Sequence, residues 1–238
     1  MRMLTLLLLI MGLFKMSLNA ETTPEWMIPL REAVYEQKLN AAEIEPLYIA
    51  AKAAAAEQYS GTDLDLAISR CEYLMGRAFQ DSKQNDAARP RYREGMRLAE
   101  KVTETAPNTE AWLLLAQNLS QACSLGPWTY TVANGLNVEK YAKNALTFNR
   151  RNAAAQYLIA ARWVFAPSPF NNIKKGIEMM EAIIQDGDTG KEDLFDIYSA
   201  IGYGYVQQKK YAEARPWLLK SLEIYPTNKY AGGLLEKR

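Results

Sequence analysis

Past residue 20 the chain shows no stretch that alternates apolar and polar at every second position. Apolar residues instead recur three and four apart in nearly every segment, which is the spacing of an amphipathic helix. Ala, Leu, Glu, Lys, Arg and Gln dominate, and all favour helix. Punctuation divides the pattern. Asn40 with Glu43 forms a capping-box signal for a helix reaching Ser60. Thr62 or Asp63 opens the next, to Lys83. Asn85 to Thr105 follows and stops before Pro107. Asn108 caps Thr109 to Ser124, and Gly126-Pro127 ends it. Further helices are predicted at Asn137–Arg150, Ala153–Phe165, Asn172–Gln185, Lys191–Lys209, Tyr211–Tyr225 and Asn228–Lys237. The expected fold is all-α.

The helices read as pairs. In the last pair, Tyr198, Ile201, Gly202 and Tyr205 share one face of the first helix, and Ala214 and Leu218 share a face of the second. Gly202 and Ala214 permit close approach, the larger residues fill the space around them, and Pro226 stops the second helix. These positions resemble the tetratricopeptide repeat, whose consensus places a large, an aliphatic, a small and an aromatic residue on helix A, small and large residues on helix B, and a terminal proline. The position usually held by Ala in that family is Ser221 here. Weaker copies centre on Gly76 with Met75 and Phe79, then Gly95 and Pro107; on Trp112, Leu115, Ala116 and Leu119 with Ala142 and Ala145; and on Tyr157, Ala160, Ala161 and Val164 with Gly176 and Met180. Gly76, Ala116, Ala161 and Gly202 stand 40, 45 and 41 residues apart, so each early copy carries an insertion, with 126–135 and 166–171 as the candidates. The resemblance spans roughly residues 62–226. It implies an α-solenoid of about four to five antiparallel helix pairs, with residues 21–61 as an N-terminal pair, residues 62–238 as degenerate repeats, and a C-terminal capping helix. An ordinary helical bundle is the alternative.

In such a solenoid the first helices line an inner groove. The resemblance places Arg70, Tyr73, Arg77 and Gln80 there. It places Glu110, Leu113, Gln117 and Ser120 beside them, then Ala155, Leu158, Arg162 and Phe165, then Asp196, Ser199, Tyr203 and Val206. Arg70, Arg77 and Arg162 could receive an acidic peptide or a carboxylate, or could pair with neighbouring acids. Trp128 and Tyr130, read as a loop, could anchor a partner or cover the solenoid edge. The long helix pairs and the Pro-containing loop before Asn172 also resemble, more weakly, the repeat component that accompanies periplasmic ligand-binding subunits of tripartite transporters. That resemblance implies a partner protein and a site for a hydrophobic ligand. Its typical Gly-Gly is Asn171-Asn172 here, and no cysteine for lipid attachment follows the leader.

The leader itself is short. Arg2 precedes an apolar run from Leu4 to Phe14, and Ala20 closes the segment. That run is about half of the ~20 residues a membrane span needs, so residues 1–20 read as a secretory signal, with a retained anchor as the alternative. An exported protein is expected, periplasmic if the source is bacterial, with no membrane insertion after cleavage.

Charge adds little: the net value is +1, which gives no bulk attraction to nucleic acid. The absence of histidine removes Ser-His-Asp and Cys-His catalysis and the commonest metal ligand. Cys71 and Cys123 form no CxxC and are expected as two buried free thiols. Acid pairs such as Asp63/Asp65 and Glu192/Asp193 fall at helix starts, where the dipole favours them. The expectation is therefore a binding protein without catalytic residues, metal or cofactor. Its partner would be another protein or peptide. The alternative is an accessory component of solute transport binding a small hydrophobic or carboxylate ligand. A carboxylate-dependent hydrolase is the more distant third.

Overall fold

Five asparagine side chains set five helix starts. Asn40, Asn108, Asn152, Asn172 and Asn228 each accept a hydrogen bond from a backbone N–H in the first turn of the helix that follows. At Asn40 the capping box is complete: its side chain accepts from Ala42 N and Glu43 N, and its own N–H donates to Glu43 Oε2 at 2.8 Å. The structure, a computed structural model, describes residues 23–237, so the expected leader lies outside the described residues. After a 3₁₀ turn at Glu25–Met27 come α1 (Ile28–Glu36), α2 (Ala41–Gln58), α3 (Gly61–Asp81), α4 (Asn85–Thr105), α5 (Thr109–Leu125) and α6 (Trp128–Phe148). They are followed by α7 (Ala153–Phe165), α8 (Ile173–Asp186), α9 (Lys191–Gln207), α10 (Tyr211–Ile224) and α11 (Lys229–Leu235). No strand occurs among the described residues. The chain is all-helical.

Neighbouring helices pack in pairs, α3 on α4, α5 on α6, α7 on α8 and α9 on α10. Each odd-numbered helix also touches the next odd one, from α1 through α3, α5 and α7 to α9. The result is an inner layer of odd helices backed by an outer layer of even ones, consistent with a helical solenoid. Small residues allow the close contacts. A Cβ on Gly76 would meet the Tyr92 ring at 2.5 Å, and one on Gly202 would meet Leu218 at 2.5 Å. Ala116 packs in one core with Ala142 and Ala145, and Ala214 is buried beside Leu218. Tyr198 lies against Trp217, with ring centroids 5.9 Å apart. Tyr205 is half-buried, and Pro226 follows the end of α10 on the surface. Ala161 packs in the core shared by α7, α8 and α9, and within the α7–α8 pair the close approach is at Gly176, against the Ala160 carbonyl and Val164.

One boundary differs from the sequence-based expectation. Residues 128–136 are not an insertion loop but the first two turns of α6. Pro127 has φ −63° and stands immediately before the first helical residue, where its missing N–H costs nothing. Gly126-Pro127 therefore both ends α5 and starts α6. Trp128 and Tyr130 consequently sit on a helix.

A second feature has no counterpart in the sequence pattern: the two ends of the described chain meet. Asn228 Nδ2 donates to the Tyr35 carbonyl at 2.7 Å, and Thr227 Oγ1 donates to the Glu36 carbonyl at 2.7 Å. Gln37, buried in the left-handed conformation at the end of α1, accepts from Lys229 N at 2.8 Å. Beneath these bonds Tyr35, Phe195 and Tyr225 form a buried aromatic cluster, with centroids 5.1 to 5.6 Å apart. Lys191 donates to Glu32 at 2.6 Å, and Arg31 pairs with Glu192 at 3.1 Å. The inner layer thus closes into a ring, with α1 against α9 and the α10–α11 link.

Candidate binding cavity

The ring surrounds an open-mouthed cavity of about 1050 Å³, lined by the inner helices, the start of α6, the 166–170 loop and the start of α11. Arg70, Tyr73, Arg77 and Gln80 recur at three- and four-residue spacing along one face of α3, and all four line it. Leu113, Gln117 and Ser120 line it from α5, Leu158, Arg162 and Phe165 from α7, and Asp196 and Ser199 from α9.

Four positions expected in the groove are elsewhere. Glu110 reaches sideways to Arg70, and Ala155 is fully buried in the α5–α7 core. Tyr203 does not line the cavity; it stacks on Phe165 at 4.9 Å. Val206 is buried. The cause for both is α11, whose Leu234 packs with Val206 and Tyr203 and fills the space in front of the last turns of α9.

The arginines are paired. Arg70 donates to Glu110 at 2.5 Å, Arg162 pairs with Glu139 of α6, and Arg31 pairs with Glu192. Arg77 is held less closely than these. Its guanidinium sits over the Tyr35 ring at 4.5 Å, and Nη1 is 3.9 Å from Asp196 Oδ1. Asp196 also accepts from Tyr35 OH at 3.2 Å. Burial pushes the Asp196 carboxyl up to about 6, with Arg77 opposing it. Asp193 is pushed up by burial as well. Tyr73 and Tyr157 are raised by burial, so their hydroxyls stay protonated.

This arrangement sets a pH dependence. A carboxyl with a higher pKa in the folded state than in the unfolded chain binds the extra proton when folded. Its stabilising contribution is therefore complete below the unfolded value near 3.8 and is lost as pH rises through about 6. Asp196→Asn removes this dependence. The difference in stability between the wild type and the variant should change by up to about 3 kcal/mol between pH 4 and pH 7, with the wild type losing ground as pH rises. Urea titrations across that range measure it, and parallel pH profiles would refute it.

The exposed apolar residues of the lining lie on two segments. On α6, Trp128, Val132 and Leu136 fall at i, i+4 and i+8 and are 64%, 52% and 64% exposed. Phe165 and Phe170, from the end of α7 and the loop after it, are exposed in the same lining. Tyr130 turns the other way, half-buried against the α5–α6 core. Of the two aromatics expected as anchors, only Trp128 faces the cavity. Sequence reasoning missed Val132 and Leu136, although their spacing from Trp128 is helical.

Cys71 and Cys123 are buried and unbridged. Burial raises their thiols to about 12 and about 11, so neither carries a reactive thiolate. No helix among the described residues is long and apolar enough to cross a membrane. Compared with known proteins, the chain matches no family model and no curated sequence.

Proposed function

We propose that this chain is an exported, tetratricopeptide-like binding protein that acts without catalysis, and that its ring interior holds a compact ligand with an apolar body. One observation carries the reading: the inner layer is closed between α1 and α9, so the concave face is a bounded cavity whose apolar lining stays exposed. An open solenoid groove suits an extended peptide passing along it. A cavity of about 1050 Å³, walled on all sides by the ring though open at its mouth, matches the size of small-molecule sites. Four to five degenerate repeats are the finer description of the solenoid, supported by the small-residue contacts at Gly76 and Gly202. The basic start and short apolar run of residues 1–20 support export. An accessory role in solute transport fits a protein that holds an apolar ligand and hands it on.

A second reading is favoured by the exposure of Trp128, Leu136 and Phe170: a partner protein docks on this rim and inserts an apolar segment into the ring. One experiment separates the two. The purified protein is titrated with N-phenyl-1-naphthylamine, an uncharged apolar fluorophore. Saturable 1:1 binding is expected, weakened about tenfold or more by Leu136→Glu, since a charge placed on an apolar lining must be desolvated. Absence of saturable binding would count against the small-ligand reading and leave the protein-partner reading, tested next by co-purification.

A further inference from the structure

The charges inside the ring do not balance, and the imbalance has a sign. Arg31, Arg70 and Arg162 each face the cavity but are held by Glu192, Glu110 and Glu139. Arg77 has the looser pairing and lies between the Tyr35 ring and Asp196. Besides Glu192 the lining holds four carboxylates, Asp81, Asp188, Asp193 and Asp196: Arg151 holds Asp188 at 3.0 Å, Lys229 lies near Asp81 and Arg70 near Asp193, so Asp196 has the looser Arg77 as its cation. Asp193 spends one oxygen on the Gly190 N–H at 3.0 Å, as a cap for α9. Burial raises Asp193 and Asp196, opposed only in part by Arg70 at the first and Arg77 at the second, whereas Asp81 is exposed at the cavity edge. An incoming anion would meet an arginine already shared and two acids beside it. An incoming cation would supply the missing charge.

The other lining groups fit a cation too. Tyr157 and Tyr230 stand near Asp196, whose charge is among the influences that raise both hydroxyls. Aromatic faces next to a carboxylate are the usual surroundings of a bound ammonium group. Ser199, one helical turn beyond Asp196, is 3% exposed, lines the cavity, and its Oγ has no hydrogen-bond partner. A buried hydroxyl left unpaired is costly, and an ammonium N–H would satisfy it as a donor. A metal ion is a poorer fit, since no group of three or more His, Cys, Asp and Glu side chains among the described residues could hold one.

We propose that the ring cavity selects an organic amine: a protonated nitrogen seated at Asp196, Asp81 and Ser199 among the tyrosines, with its apolar body against Trp128, Leu136 and Phe170. This rests on the reading of the cavity as a ligand site and names the class of ligand. It opposes the carboxylate expected from the arginines alone, because those arginines are already occupied.

Three probes of equal chain length separate the ideas: octylammonium, 1-octanol and octanoate, titrated calorimetrically into the full chain at pH 7. Octylammonium is expected to bind about tenfold or more tighter than 1-octanol, and octanoate weaker than either. Asp196→Asn combined with Asp81→Asn should abolish the preference for the amine, and continued saturable binding of 1-octanol shows that the cavity is intact. If the double variant does not fold, Asp81→Asn alone is expected to reduce the preference. Equal affinity for all three probes would overturn the amine assignment and leave the cavity reading standing. Tighter binding of octanoate, or an amine preference that survives both substitutions, would also overturn it. Binding of none of the three would remove both.

Discussion

Tyr225→Ala is expected to destabilise the protein by about 3–5 kcal/mol, the usual range for deleting a large buried aromatic side chain. Tyr225 is 1% exposed, stacks on Tyr35 at 5.1 Å and meets Phe195 edge-on at 5.2 Å. Its hydroxyl donates to Glu192 at 2.8 Å, and Glu192 in turn holds Arg31. One side chain therefore joins the aromatic core of the junction to its ion pairs. Tyr225→Phe keeps the ring and removes only the hydroxyl, so its cost should be nearer to about 1 kcal/mol. The contrast separates packing from hydrogen bonding. Urea unfolding gives both numbers, and small-angle scattering shows whether the alanine variant opens the ring. A loss below about 1 kcal/mol for Tyr225→Ala, with unchanged dimensions, would mean that this cluster does not hold the two ends together. Opening the ring should also weaken binding of apolar probes, because α1 and α9 would no longer bound one cavity.

Gly76→Leu is expected to cost about 3 kcal/mol, at the upper end of the usual penalty for an overfilled core. A Cβ at this position would fall 2.5 Å from Tyr92 Cε1, with two further ring atoms within 2.9 Å. Tyr92 cannot swing aside freely. It is fully buried, and its hydroxyl donates to Gln80 Oε1 at 2.8 Å. The α3–α4 interface must therefore separate or strain. Helix propensity acts in the opposite direction, by up to about 1 kcal/mol, and does not offset it. Gly233→Ala is the control. Gly233 lies in α11 with open space where a Cβ would stand, nothing coming within 4 Å of it, so alanine there should be neutral or slightly stabilising. Thermal unfolding of both variants reads the signs. A Gly76→Leu protein as stable as the wild type would show that the two helices are not in close contact at this point.

The two substitutions probe information of different range. Gly76 is legible in the sequence because a small residue in a helical pattern signals close approach within a few turns, and Tyr92 is only 16 positions away. The capping asparagines are legible for the same local reason, as is the face of α3 carrying Arg70, Tyr73, Arg77 and Gln80. The start of α6 is not, because Gly-Pro signals both a helix end and a helix start. Nor are the partners of the arginines. Arg70 finds Glu110 forty positions on, and Arg162 finds Glu139 on the preceding helix, pairings that depend on how adjacent pairs stack.

The amino-acid sequence by itself determined that the chain is helical, where most helices begin and end, and which residues share a helix face. These follow from backbone hydrogen bonding and from a repeat of about 3.6 residues, both settled within a few neighbours. Only the tertiary structure decided that α1 meets α9 and the α10–α11 link, that Tyr203 is covered by α11, and that Asp81 and Asp196 share one arginine, Arg77. Small rotations between successive helix pairs accumulate along the chain, and their sum brings Tyr35 to Phe195 and Tyr225. No local pattern encodes that sum, so neither the cavity nor the sign of its charge could be read before the ring closed.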